Sequence, residues 1–213
     1  PIDASGTLTW NPAGITALDG NSIQFGMEML KPSVELYSSV SSPGVMSGTT
    51  ESDSPMSAIP SFAMVYHLKD TDWTLGFGAC GISGFGVNYP SSSSNPLLMP
   101  PPNGFGSVYS EFQMLQVSPT VAYQFDDNWS FGFQPNINQA KLAVDPGCFA
   151  SPNDPNGTFG DGDEVYPSAA HAATAWGYGA QFGVYYRGDD DWDFGFSYTT
   201  EQTFEDFEFN STH

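Results

Sequence analysis

Between residues 176 and 187, alternate positions carry Trp176, Tyr178, Ala180, Phe182, Val184 and Tyr186. Between them stand Gly177, Gly179, Gln181, Gly183, Tyr185 and Arg187. A repeat of two sustained this long is a strand with one greasy face, because successive side chains of a strand point to opposite sides. The same alternation runs through 73–78, 115–125, 129–138 and 192–198, and almost no helical period interrupts it. Three of these runs open with one phrase: "KDTDWTLGFGA" at 69–79, "FDDNWSFGFQP" at 125–135 and "GDDDWDFGFSYTT" at 188–200. Each phrase is an acidic turn, a tryptophan and then a ring-bearing face, so a repeated all-β architecture is expected.

A soluble antiparallel sandwich also alternates apolar and polar residues. These strands are long, however, and Trp73, Trp129 and Trp192 each sit directly after a turn. Strands of about ten residues, apolar outward and small or polar inward, with aromatics at their ends, are the pattern of an antiparallel transmembrane β-barrel. No run of about 18 apolar residues offers a transmembrane helix. Composition agrees with a folded chain: 39% of the 213 residues are hydrophobic and 15% aromatic, too many for disorder. With 24 acids against four bases, the net charge of −20 excludes nucleic acid, whose phosphates require Lys and Arg, and argues against a basic membrane-surface binder. Such an acid excess suits a saline environment.

Short links are expected at 69–72, 126–128 and 188–191, and long Pro/Gly/Ser/Asp-rich links near 39–57, 90–109 and 145–173. Bacterial outer-membrane barrels have short periplasmic turns and long external loops. Strands are therefore placed at 21–38, 58–68, 73–89, 110–125, 129–144, 174–187 and 192–209, the first running outward. Seven strands cannot close alone, since bare edges in lipid leave backbone groups unpaired. The chain reads as the first half of a larger barrel, 21–213, behind a separate segment, 1–20.

"TLTWNPAGITALDGNSIQFGMEMLKPSVEL" at 7–36 resembles the start of the FadL/TodX (OMPP1) family of outer-membrane transporters. Asn11, Pro12 and Ala13 match that family's Asn-Pro-Ala motif, and Gly14, Leu18 and Gly20 follow in the family manner. "PSFAMVYHLKDTDWTLGFGACGISGFG" (60–86), "LQVSPTVAYQFDDNWSFGFQPNI" (115–137) and "WGYGAQFGVYYRGDDDWDFGFSYTTEQTF" (176–204) are similar to later family strands. The resemblance implies a monomeric barrel of about fourteen strands, of which this chain supplies seven. A small hatch, here Asn11 to Gly14, would plug it. It also implies passive uptake of long-chain fatty acids or other hydrophobic compounds across a bacterial outer membrane, without enzyme chemistry or cofactor.

In that family, ligands enter at external loops and leave sideways through an opening at a kink in the third strand. Gly81, Gly84, Phe85 and Gly86 fall there, and glycines inside a strand permit a bulge. "SGFG" at 83–86 stands where members read Pro-Phe-Gly. The alternative is that the strand's glycines relieve crowding against the hatch. Leu97, Leu98, Met99 and Phe105 form a candidate capture loop, since apolar residues exposed in water need a partner, either a ligand or another loop. Arg187, on the lumen parity, is the candidate contact for a carboxylate; Lys141 has lipid-facing parity.

Asp154, Asn156, Asp161, Asp163 and Glu164 offer oxygen ligands for Ca²⁺, but their spacing departs from the EF-hand loop, and a solvated acidic surface is the preferred reading. Cys80 and Cys148 are compatible with a disulfide or with two free thiols. His67, His171 and His213 come with no nucleophile motif, so catalysis is not expected. The competing reading is a general porin or structural barrel, and segment 5–20 discriminates, because a porin has no use for a hatch.

Overall fold

A computed structural model describes residues 3–41, 44–154, 156–157, 164–188 and 192–209. Helix α1 spans Ala4–Trp10 and starts where the Asp3 carboxylate accepts the Gly6 amide at 2.6 Å. Asn11 then ends one helix and begins another. Its own N–H reaches Thr7 O at 2.9 Å, while its side chain accepts the Ala13 amide at 3.0 Å. Pro12, whose missing N–H costs nothing at a first turn, opens the 3-10 helix Pro12–Ala17.

The rest is strand: β1 Ser22–Leu30, β2 Glu35–Val40, β3 Met46–Glu51, β4 Ser57–His67, β5 Trp73–Tyr89, β6 Val108–Gln124, β7 Trp129–Asp145, β8 Ala169–Arg187, β9 Asp193–Thr199 and β10 Thr203–Phe204. Eight of them make one antiparallel sheet in the order β1-β4-β5-β6-β7-β8, with β9 and β10 both on β8. Neither edge pairs with the other, so the barrel is not closed within this chain.

Two expected strands are broken. The run 21–38 stops at Leu30, because Pro32 cannot donate to a ladder. The chain resumes as β2, which leaves the main sheet to pair with β3, inside what reads in sequence as the link 39–57. The run 192–209 slips by one residue between the Gln181↔Thr199 and Tyr178↔Thr203 pairs. That slip turns Phe204 onto the opposite face, where its ring covers Gly177. The acids at 189–191 lie outside the described residues.

The two faces of the main sheet differ as the alternation requires. One face carries α1 and the 3-10 helix over a small core of Ala4, Leu8, Ile15, Ala63, Val65 and Ala122. The other leaves Phe25, Phe131, Phe182, Phe194 and Phe196 exposed, an arrangement that belongs in lipid. At the short-turn end, Trp73 packs on Tyr123 with ring centroids 4.7 Å apart and Trp129 on Tyr186 at 4.8 Å, two aromatic pairs at the depth of an interfacial girdle.

Candidate functional site

Sheet continuity fails at one place in the wall. The β1–β4 ladder runs out to Leu30↔Ser57, yet the β4–β5 ladder stops at Ser61↔Cys80. Strand β5 stays with β6 as far as Tyr89↔Val108, absorbing Ile82 as an extra residue between Gly81 and Ser83. A bulge bends its strand, and here β5 follows β6 while the start of β4 follows β1. Between the parted strands lies a cavity of 430 Å³. Gly81, Gly84, Phe85 and Gly86 all line it. Phe112 and Met114 share the helix-bearing face of β6, Gln113 and Leu115 its lipid-type face, and all four line the same cavity. Its lining therefore draws on both faces of β6. Leu30, Ile59, Phe85, Phe112, Met114 and Leu115 make most of it apolar. Phe85 stacks on Phe112 at 5.3 Å.

Nearer the short-turn end, the N-terminal segment is bonded to the inner face of the sheet. Asn11 Nδ2 donates to Val184 O at 3.0 Å, Gln181 Nε2 to Trp10 O at 3.0 Å, and Thr16 Oγ1 to Ser130 Oγ at 2.8 Å. The repeated phrase explains the closeness of fit. Its glycine, three residues after each tryptophan, is Gly76, Gly132 or Gly195, and all three face this segment. A Cβ on Gly132 would overlap the Ala13 amide, one on Gly183 the Asn11 carboxamide, and one on Gly76 would stand 2.7 Å from Leu8 Cδ2. The β5 glycines fall in two places: Gly76 and Gly78 face α1, where only Gly76 lacks room for a Cβ, and Gly81, Gly84 and Gly86 line the cleft.

Sequence reasoning missed a band of amides on the same face. Pro119 and Pro135 stand opposite one another in register, and the β6–β7 ladder lapses across 118–120 and 134–136. Neither proline has an N–H to donate. Side chains bridge the lapse instead: Thr120 Oγ1 donates to Gln134 Oε1 at 2.9 Å and Ser118 Oγ to Asn136 Oδ1 at 3.0 Å. Gln134 Nε2 adds a bond to Asn136 Oδ1 at 3.0 Å. Gln134 and Asn138 are fully buried. The signal was a pair of prolines at matching depth in adjacent strands.

The remaining expected site residues lie elsewhere. Leu98 is fully buried and Phe105 packs on Tyr166 at 5.7 Å, while Leu97 is partly exposed and Met99 half-buried. The loop folds back on β2 and β3, as the alternative reading has it. Buried Asn95 fastens it there, donating to Leu36 O at 3.0 Å and Thr50 Oγ1 at 3.1 Å and accepting from Ser38 Oγ. As an exposed capture residue Leu98 is thereby corrected. Arg187 sits exposed at the short-turn end, opposite Asp193 in the register and bonded to Asn128 through its backbone; the cleft's base is Lys141. Asp154 accepts the Gly157 amide at 2.7 Å within its own turn, and no group of three metal-type ligands forms among the described residues. Asp161, Asp163 and His213 lie outside them. Both cysteines are free, so the disulfide option falls. His67 bonds Thr74 Oγ1 at 3.1 Å, in the wall near the turn.

Over residues 2–210 the chain matches the family model described as outer membrane protein transport protein (OMPP1/FadL/TodX). The chain belongs to the FadL/TodX family. This is a family of outer-membrane transport proteins for hydrophobic compounds, not of enzymes, and it sets this FadL/TodX chain in the outer membrane. No curated protein sequence matches it. Solved structures share its fold. The P. putida toluene transporter TodX superposes with TM-score 0.70 at 21% identity, covering 95% of this chain and 52% of TodX. The Ralstonia pickettii toluene transporter TbuX gives 0.65 at 19%, covering 94% and 55%. A Pseudomonas aeruginosa FadL homologue gives 0.59 at 14%, covering 93% and 47%. This FadL/TodX chain thus spans about half the length of those relatives.

Proposed function

We propose that the complete protein is a monomeric, passive transporter of long-chain fatty acids or other hydrophobic compounds, which leave sideways through the β4–β5 cleft. The observation that carries this reading is the pairing of a mostly apolar cleft in the wall with a helix-covered face of buried, hydrogen-bonded amides beside it. A greasy solute gains nothing by passing buried amides, whose hydrogen bonds it cannot replace. It gains about 25 cal/mol per Å² by moving from water to the cleft and on to lipid. A cavity of 430 Å³ lies in the range of small-molecule sites. Asn11 to Gly14 would act as the hatch that shuts the straight route, with 1–20 as its unit and 21–213 as barrel wall. Leu97, Met99 and Phe105 remain the external contacts that would greet a ligand.

The test uses the complete protein in cells lacking their own transporter, with labelled toluene and oleate as probes. Gly84→Trp fills the cleft and should cut uptake of a transported probe at least about tenfold, since the added indole occupies much of the path. Deletion of Asn11 to Ala13 should instead let small hydrophilic solutes through. Hydrophobic uptake that survives Gly84→Trp rules out the lateral route. Uptake of neither probe above control cells rules out the transporter reading in favour of a porin or structural barrel.

A further inference from the structure

We propose that Glu111 makes the cleft selective against anions, so that the compounds it passes are uncharged; this rests on the cleft being the ligand route. Among the described residues lining the cavity, Glu111 is the one acid and Lys141 the one base. Their surroundings differ. Glu111 accepts from Gln113 Nε2 at 2.5 Å through Oε1 and from the Tyr109 hydroxyl through Oε2. Both donors are neutral, so they hold the carboxylate in place and leave its charge uncancelled. Its Cγ lies 3.9 Å from where a Cβ on Gly86 would stand; the side chain thus covers the bare glycine face of β5, on the wall a ligand must brush. Phe85, Phe112, Met114 and Leu115 line the same cavity, and among apolar groups a fixed charge is felt across several ångströms.

Lys141 stands one strand further on, opposite Gln113 in the register, with an exposed side chain. A mobile exposed charge is screened by solvent and counter-ions. An entering carboxylate therefore meets a fixed like charge within the cleft, and a neutral molecule of the same length meets a mostly apolar wall with no charge of its own to be repelled.

Labelled decan-1-ol and decanoate at pH 7.5, offered to cells expressing the complete protein, test this with probes of equal chain length. The wild type should favour decanol. Glu111→Gln keeps the shape, accepting from Gln113 and donating to a Tyr109 hydroxyl that turns to accept, and should lower the decanol-to-decanoate ratio about tenfold by admitting the anion. Glu111→Asp retains the charge and should retain the preference. An unchanged ratio in Glu111→Gln, with Gly84→Trp still blocking decanol, overturns the role of Glu111 alone. A loss of decanoate uptake in Lys141→Gln larger than the gain in Glu111→Gln overturns it too, by making Lys141 a carboxylate anchor. If Gly84→Trp leaves both probes entering freely, the cleft is not the route and the reading beneath the proposal fails with it.

Discussion

Asn11 has contacts out of proportion to its size. It terminates α1, starts the 3-10 helix, and ties both to the carbonyl of Val184 in β8. Asn11→Ala removes a cap and a bond to the wall, about 1–2 kcal/mol together. We expect it to leave the barrel assembled and the interior leaky, read as increased permeation of a small hydrophilic antibiotic. Gly132→Ala should act more severely, because a Cβ there meets the Ala13 backbone rather than a side chain that can swing away. Overpacking of this kind costs about 1–3 kcal/mol, measurable as a lower urea midpoint of the complete protein in lipid vesicles. Gln134→Leu strands Thr120 Oγ1 and the amide band that spans the proline lapse. A loss of about 1–3 kcal/mol follows from leaving a buried polar partner unsatisfied, and the same unfolding experiment detects it.

Among the elements, β5 carries two functions divided by its bulge. Its first half, through Cys80, pairs on both sides and faces α1; beyond Ile82 it holds only β6. The division was partly legible. Five glycines between 76 and 86 marked a strand prepared to bend, and the residues singled out there do line the cleft. What could not be read was the partner's side: β4 departs because β1 retains it out to Ser57. The outer loop shows the same limit. Leu97, Leu98 and Met99 read as an exposed greasy loop until β2 and β3 supply a surface for Leu98. Asn95→Ala deletes the clamp to Leu36, Ser38 and Thr50, and we expect the 90–106 segment to become sensitive to protease added to whole cells.

At the scale of the whole molecule, the open edges govern behaviour. Strand β1 and the β9–β10 side each present backbone groups that nothing among the described residues pairs, and in hydrocarbon every such group is costly. Residues 1–213 expressed alone should therefore be digested by proteinase K in detergent, whereas the complete protein should protect the strands. A resistant core from these residues alone would show that they close or self-associate. The relatives' structures are about twice as long as this chain, which covers 52% of one and 55% of another.

Sequence by itself determined the strand period, which face meets lipid, the interfacial tryptophans and the short turns, because each depends only on side chains that recur every second residue along one strand. Five of the seven expected strands stand near their expected bounds for that reason. Tertiary structure alone decided where β4 parts from β5, that the glycine of each Trp-x-x-Gly phrase cushions the N-terminal segment, and that Pro119 meets Pro135. These are relations between strands, set by register and by what fills the interior, and register is a property of the assembled sheet.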